Sequence, residues 1–287
     1  MNCTNIENAA TQFSRTFLIL PVFNQARILP GMFQKLAELP SFPGGFEIIV
    51  VDDGSTDATA QIAMAGRPDL SVQLVQHFRS CGSGRAIQTG IQQACRRAGA
   101  DDVIIVMEAD ECQDFTMMKW MSDEVVAGSD VVIASRFVEI GEKKGLSPDR
   151  NLQARCASLA SRLLFGEGRV KDCTGTYRAY RASLLRKAWC HWGDHLIEAR
   201  GFASAVEILL KLRRWDPVIR EIPLTLPLGR RKGPKKRVLF QAIFHYAKLR
   251  IRDWVTPQQC ETPVRIYCAK TDTIEIQPSF EDVALQV

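Results

Sequence analysis

The chain has 287 residues, 46% hydrophobic and 24% charged, with 37 Lys+Arg against 32 Asp+Glu. That composition excludes disordered, collagen-like and fibrous classes, and a chain this long can bury a core without disulfide or metal staples. Apolar runs such as Val103–Met107 fall far short of the roughly 18–20 residues that span a bilayer, and the first fifteen residues lack the basic region and apolar stretch of a signal peptide. An integral membrane or secreted protein is therefore not expected. The nine cysteines are scattered without a C-x-x-C pair, which reads as reduced thiols in a cytoplasmic protein.

Short β-branched runs alternate with helix-length segments, the pattern of βα units on a mostly parallel sheet. Phe17–Val22 reads as the first strand and Ala26–Leu39 as a helix. Glu47–Val51 is the second strand, and Ser55-Thr56-Asp57 looks like the cap of the helix after it. Val72–Gln76 is a third strand, followed by a helix over Gly84–Ala98 with Ile87, Ile91 and Ala94 on one face. Val103–Met107 is the most apolar run, as expected of a central strand covered on both faces, and Val131–Ser135 is another strand. Val138–Arg150 has the glycines, proline and charges of a loop. Asn151–Phe165 and Ala203–Arg214 read as helices, the latter burying Val206, Leu209 and Leu210, and Val218–Ile222 as a late strand. Residues from Thr256 onward show no assignable pattern.

Charge is uneven. Between Lys211 and Arg252 stand thirteen Lys/Arg and two acids, so this segment carries +11 and the remainder −6. Such asymmetry points to an anionic partner (phosphate, nucleic acid or membrane surface) or to a solvated basic face.

In an open α/β sheet, ligands bind beyond the carboxyl ends of the strands. Those ends carry Asp52-Asp53-Gly54, then Glu108-Ala109-Asp110 with Glu111 and Asp114, then Ser135-Arg136. One acidic pair alone would be a turn or a cap. Two acidic strand ends and an arginine on one rim favour a hard cation, Mg²⁺ or Mn²⁺, held by carboxylates and substrate phosphates.

At these residues a resemblance becomes specific. LILPVFNQ (Leu18–Gln25) with FEIIVVDDGSTDAT (Phe46–Thr59) resembles the opening of family 2 inverting glycosyltransferases of the GT-A fold. CGSGRAIQTGI (Cys81–Ile91) resembles their glycine-rich helix start, and MEADECQD (Met107–Asp114) stands where their D-x-D motif belongs. ASRF (Ala134–Phe137), KDCTGTYRAY (Lys171–Tyr180) and IPLTLPLGRRKGPKK (Ile222–Lys236) resemble the dolichyl- and polyprenyl-phosphate sugar synthase branch.

The resemblance implies an α/β GT-A domain over residues 17–237, after an extension over 1–16. Pro21, Phe23, Gln25, Val51 and Asp53 would cradle base and ribose of a nucleoside diphosphate sugar. Glu108, Ala109 and Asp110 would lie at the diphosphate, with Asp110 as principal ligand of Mg²⁺ or Mn²⁺ and Glu108, one methylene longer than the family's aspartate, beside it. Arg136, Arg150, Arg230 and Lys236 would close over the diphosphate and an acceptor phosphate, where arginine forks match phosphate oxygens.

The expected reaction is inverting sugar transfer to a polyprenyl or dolichyl phosphate. A saccharide or small-metabolite hydroxyl is the alternative acceptor, with Asp114, Glu111 or Glu207 as base. A non-catalytic nucleotide-sugar or nucleic-acid binder is the alternative from another class. The Val138–Arg150 loop is expected to act as a lid. Phe240, Ile243, Phe244, Ala247, Ile251 and Trp254 share one helical face behind the basic run Arg230–Arg237, which suits an amphipathic helix over 238–255 lying on an anionic membrane surface.

Overall fold

The computed structural model describes residues 14–110, 114–136, 138, 170–201 and 203–224, together with the course of two strands at 264–268 and 271–276. The expected Asn151–Phe165 helix, the lid loop beyond Val138 and the 238–255 stretch lie outside the described residues, as do Glu111, Arg150, Arg230 and Lys236.

The expected strands form as β1 (Thr16–Val22), β2 (Phe46–Asp52), β3 (Ser71–His77), β4 (Val103–Val106) and β5 (Val131–Ser135). They are joined by β6 (Arg178–Arg181), β7 (Ile219–Pro223), β8 (Val264–Cys268) and β9 (Thr271–Ile276). The described strands make one sheet in the order β7-β5-β6-β4-β1-β2-β3-β8-β9. Strand β1 pairs in parallel with β2 and β4, and β2 with β3. β4 is interior as expected, but its other neighbour, β6, runs antiparallel to it. It reads as a continuous apolar run because helices cover both its faces, whichever way β6 runs.

Two apolar layers sandwich the sheet. On one face α1 (Leu29–Ala37), α2 (Thr59–Ala65) and α4 (Met117–Val126) pack over Leu18, Leu20, Ile48, Val50 and Ile105. On the other, α3 (Ser83–Arg97), α5 (Ala182–Trp192) and α6 (Ala203–Leu212) pack over Ile19, Ile49, Val51, Val75 and Val106. The expected stripe of Ile87, Ile91 and Ala94 is buried. Leu210 is only half-buried, because the inward stripe of α6 runs through Ala205, Val206, Ile208, Leu209 and Leu212 and leaves it at the flank.

Helix α1 begins three residues later than expected. The N–H groups of Ile28 and Leu29 both donate to the Gln25 carbonyl at 3.0 Å, and Pro30 occupies the first helical turn, where its missing N–H costs nothing. The N-cap position of α2 falls on Ala58 rather than on Ser55, Thr56 or Asp57, although Asp57 Oδ1 still accepts the N–H of Thr59, the first residue of the helix, at 3.0 Å. The three residues also clasp the loop after β1. Asn24 N–H donates to Ser55 Oγ (2.8 Å), Ala26 N–H to Asp57 Oδ2 (3.2 Å), and Thr56 N–H to Asn24 Oδ1 (2.9 Å). Polar side chains between two parallel strands can tie the two loops together as readily as they cap a helix.

Chain order reverses between β1 and β4. Strands β2 and β3 lie to one side of β1, and α3 crosses the opposite face to deliver β4 to its other side. This is the switch point at which α/β sheets open a crevice. The crossover needs close approach. A methyl on Gly84 would stand 1.8 Å from the Ala199 carbonyl oxygen, and one on Gly90 2.3 Å from Ile19 Cγ2. The glycines of CGSGRAIQTGI therefore serve packing of α3 against the chain before α6 and against β1. Gly84→Ala is expected to destabilise the fold by about 1–3 kcal/mol, since a backbone carbonyl cannot rotate aside as a side chain can. A urea melt checks this, and an unchanged midpoint would refute the close approach.

Candidate active site

Glu108, Ala109 and Asp110 follow β4 with only Met107 between, at the switch point. Ala109 is buried, Glu108 half-buried and Asp110 exposed, so the two carboxylates straddle an inward-facing methyl. Burial pushes the Glu108 carboxyl up, and the neighbouring Asp110 charge pushes it the same way, against a hydrogen bond from Thr176 and the positive charge of Arg136. Glu108 and Asp110 together offer an all-oxygen donor set, which fits Mg²⁺ or Mn²⁺ rather than a thiophilic ion.

Arg136, the first residue after β5, lies within electrostatic reach of Glu108. The fork expected for the phosphates is engaged within the protein. The Nε and Nη2 edge is already paired with Asp172, at 2.8 Å to Oδ2 and 2.8 Å to Oδ1. Burial would lower the arginine's proton affinity, but the Asp172 carboxylate outweighs it and holds the guanidinium charged.

Asp52 and Asp53 do not need a ligand to resolve their charge. Asp52 accepts from Ser55 N–H (3.0 Å) and Gln76 Nε2 (3.0 Å). Asp53, 4% exposed, accepts four hydrogen bonds: His77 Nδ1 (2.7 Å) and Cys81 N–H (2.9 Å) on Oδ1, Ser80 Oγ (2.8 Å) and Gly82 N–H (2.8 Å) on Oδ2. Burial alone would raise the Asp53 carboxyl, but these donors outweigh it and hold it below the usual carboxylate range. All four lone-pair directions are taken, so in place of the expected contact with the base the Asp53 side chain anchors the loop that starts α3. His77 went unremarked in the sequence. Its Nε2 meets Thr89 Oγ1 at 3.0 Å, so Asp53, His77 and α3 form one buried polar chain.

Among the described residues, Asp53, His77 and Cys81 also bring three potential metal ligands within 4.8 Å. With both ring nitrogens and both carboxylate oxygens already bonded within the protein, this group suits a hard cation less than the Glu108–Asp110 pair does.

The other expected donor contacts divide. Phe23, 46% exposed, stands at the end of β1 with Gln25 half-buried two residues on. Pro21 pairs in register with Val51, whose side chain is wholly inside the core under α3 and has no surface to offer a base. Asp114 Oδ1 is engaged by the N–H (3.0 Å) and hydroxyl (2.6 Å) of Thr116 in the turn before α4. Glu207 is 1% exposed and accepts from the N–H groups of Glu198 (2.9 Å) and Ala199 (2.8 Å) and from Lys211 Nζ (2.7 Å). It is a buried acid engaged by the protein's own donors. Cys95 and Cys173 are buried and their thiols pushed up to about 12 and about 11, so neither is a thiolate at neutral pH.

The members of KDCTGTYRAY carry no individual role that the sequence alone reveals. In the fold this block supplies Asp172 to Arg136, Thr176 to Glu108, and the Tyr177 hydroxyl to the Asp114 carbonyl at 3.0 Å. The available signal was its density of hydrogen-bonding residues at the start of a strand.

A sheet with this switch point, an acidic pair after β4 and an arginine after β5 defines a GT-A nucleotide-diphospho-sugar transferase. The chain belongs to the glycosyl transferase family 2, whose model matches residues 17–189, and it is a hexosyltransferase. It is 28% identical over 247 residues to polyprenol monophosphomannose synthase of Mycolicibacterium smegmatis, spanning 83% of this chain and 88% of that protein. It is 29% identical over 212 residues to undecaprenyl-phosphate mannosyltransferase of Micrococcus luteus, spanning 74% and 83%. In fold it is similar to glucosyl-3-phosphoglycerate synthase of Mycobacterium tuberculosis, solved with Mn²⁺, UDP and glucosyl-3-phosphoglycerate. The TM-score there is 0.58 with 18% identity, over 93% of this chain and 88% of that one. Among the described residues no helix is long and apolar enough to cross a membrane.

Proposed function

We propose that this chain transfers a sugar, with inversion at the anomeric carbon, from a nucleoside diphosphate sugar to the phosphate of a polyprenyl-type lipid. The observation that carries the reading is the Glu108–Asp110 pair beside Arg136 at the switch point, in a chain whose relatives are named as lipid-phosphate mannosyltransferases. Asp110, with Glu108, would hold Mg²⁺ or Mn²⁺, which supplies charge stabilisation to the departing diphosphate. Phe23 offers the base an apolar face, and Arg136 offers fixed N–H donors where negative charge develops.

An acceptor phosphate oxygen attacks the anomeric carbon from the face opposite the diphosphate. The bond to the diphosphate breaks and its electron pair leaves with that group. A phosphate acceptor arrives ionised, so the protein need not remove a proton. Among the described residues this suits lipid phosphate better than a hydroxyl, because Glu207 is buried and satisfied and Asp114 is held at the start of α4, while Glu111 lies outside them.

In this reading residues 17–237 form the transferase domain. The basic run Arg230–Arg237 and the 238–255 stripe seat the protein on an anionic membrane surface, where each basic residue contributes roughly 1 kcal/mol.

A panel of GDP-mannose, UDP-glucose, UDP-GlcNAc and dTDP sugars with Mn²⁺ and a polyprenyl phosphate in anionic vesicles tests the reading. One donor is expected to give a lipid-linked sugar phosphate of inverted configuration, with the enzyme sedimenting with the vesicles at low salt. Transfer to a saccharide but not to lipid phosphate would refute the acceptor. Salt-sensitive binding to random oligonucleotides with no transfer would refute the enzyme reading altogether.

A further inference from the structure

Asp172 has no surface, yet its charge sits at the edge of the site. Three Arg136 groups donate to it: the backbone N–H (3.1 Å) and Nε (2.8 Å) to Oδ2, and Nη2 (2.8 Å) to Oδ1. Nη2 also donates to Thr174 Oγ1 at 2.7 Å. The carboxylate is in turn fixed from its own side. Gly175 N–H donates to Oδ1 at 2.9 Å, and Glu221 on β7 accepts the N–H groups of Lys171 (2.9 Å) and Asp172 (2.7 Å). Burial would raise the Asp172 carboxyl, but the Arg136 guanidinium outweighs it, with help from the buried Arg178, and keeps it ionised.

A two-point fork fixes the plane of a guanidinium as well as its position. The pair is close to neutral overall, so its value to a phosphate lies in orientation rather than net charge. An unclamped arginine on a strand end would have to give up rotamer freedom when substrate arrives, a cost of up to about 2 kcal/mol. Here the ordering is complete beforehand.

We infer that Asp172 is a positioning residue of the transfer reaction: through its buried two-point pair it holds the Arg136 guanidinium in one fixed orientation within electrostatic reach of Glu108, at the place proposed for the donor phosphates. The inference rests on the proposed phosphate role of Arg136 and adds a residue that touches neither substrate. Thr174 shares the same task from the other side of Nη2.

The test is a double-mutant cycle of Arg136→Ala and Asp172→Asn on the full chain, read as kcat and donor KM and as UDP and GDP affinity with Mn²⁺ by calorimetry. Misplacing a positioned group costs about 10²-fold. Asp172→Asn should therefore lower kcat by about that factor with a smaller change in KM, and the double variant should be no worse than Arg136→Ala alone. Losses that multiply would overturn the inference, because they would show Asp172 acting apart from Arg136. Thr174→Val serves if Asp172→Asn does not fold. It should lower kcat in the wild-type background and not in Arg136→Ala, and equal losses in both would again overturn the inference. Full activity of Arg136→Ala removes the phosphate role of Arg136 and the inference with it, while leaving the transferase reading intact. Absence of transfer with every donor refutes the transferase reading, and calorimetric coupling between the two positions still decides the inference.

Discussion

Asp110→Asn is expected to reduce metal-dependent transfer by about 10³-fold, the scale of losing a group that stabilises charge in the transition state. The fold should not suffer. Asp110 is exposed, and removing its charge relieves the repulsion that helps push the Glu108 carboxyl up. Mn²⁺ affinity measured by electron paramagnetic resonance should fall with activity, while the thermal midpoint stays put or rises. The sign of the pH dependence follows from Glu108. Its folded carboxyl keeps the proton to higher pH than the unfolded chain does, and a metal competes with that proton. Acidification should therefore release metal above the range of an ordinary glutamate. Glu108→Gln should remove that pH step and weaken Mn²⁺, though less than Asp110→Asn does. Asp110→Asn with undiminished turnover and Mn²⁺ affinity would sink the assignment.

The parallel half of the sheet was legible because its strands are buried on both faces and read as unbroken apolar runs. FLILPV, EIIVV and VIIVM can hardly be anything else. The acidic pair after β4 was legible for a related reason, since polar residues at the end of such a run must face the crevice or solvent. What resisted reading was partnership at a distance. Arg136 and Asp172 are thirty-six residues apart, and Asp53 and His77 twenty-four. Nothing local distinguishes an aspartate that will hold a metal from one that four protein donors will surround. The β8–β9 hairpin escaped for another reason. TDTIEI is rich in polar residues and VRIYC is broken by Arg265, and the two pair antiparallel at the sheet edge beyond β3, so they lack the continuous apolar signal of the interior strands.

Asp53→Asn is expected to destabilise the fold by about 2–3 kcal/mol. The amide keeps one acceptor oxygen and replaces the other with a donor. Whichever way the amide turns, one backbone N–H, that of Cys81 or that of Gly82, would then face N–H instead of oxygen, while the His77 ring can change tautomer or the Ser80 hydroxyl can turn to accept. Each buried group left unpaired costs about 1–3 kcal/mol. The damage should spread to donor binding, because the anchored loop at residues 79–82 starts α3 and its backbone packs 2.7 Å from where a methyl on Gly54 would stand. Acid unfolding separates this from a simple packing defect. The folded Asp53 carboxyl lies below its unfolded value, so its contribution is present above the ordinary aspartate range, about pH 3.9. It is lost as pH falls through the folded value. Urea melts at a series of pH values should show the wild type losing stability through that window, and Asp53→Asn losing less there because it has less to lose. Part of the wild-type loss should survive in the variant, since Asp172 is shifted in the same direction. If wild type and variant run parallel down to low pH, the four hydrogen bonds do not favour the ionised carboxylate, and Asp53 cannot be the electrostatic anchor of the loop.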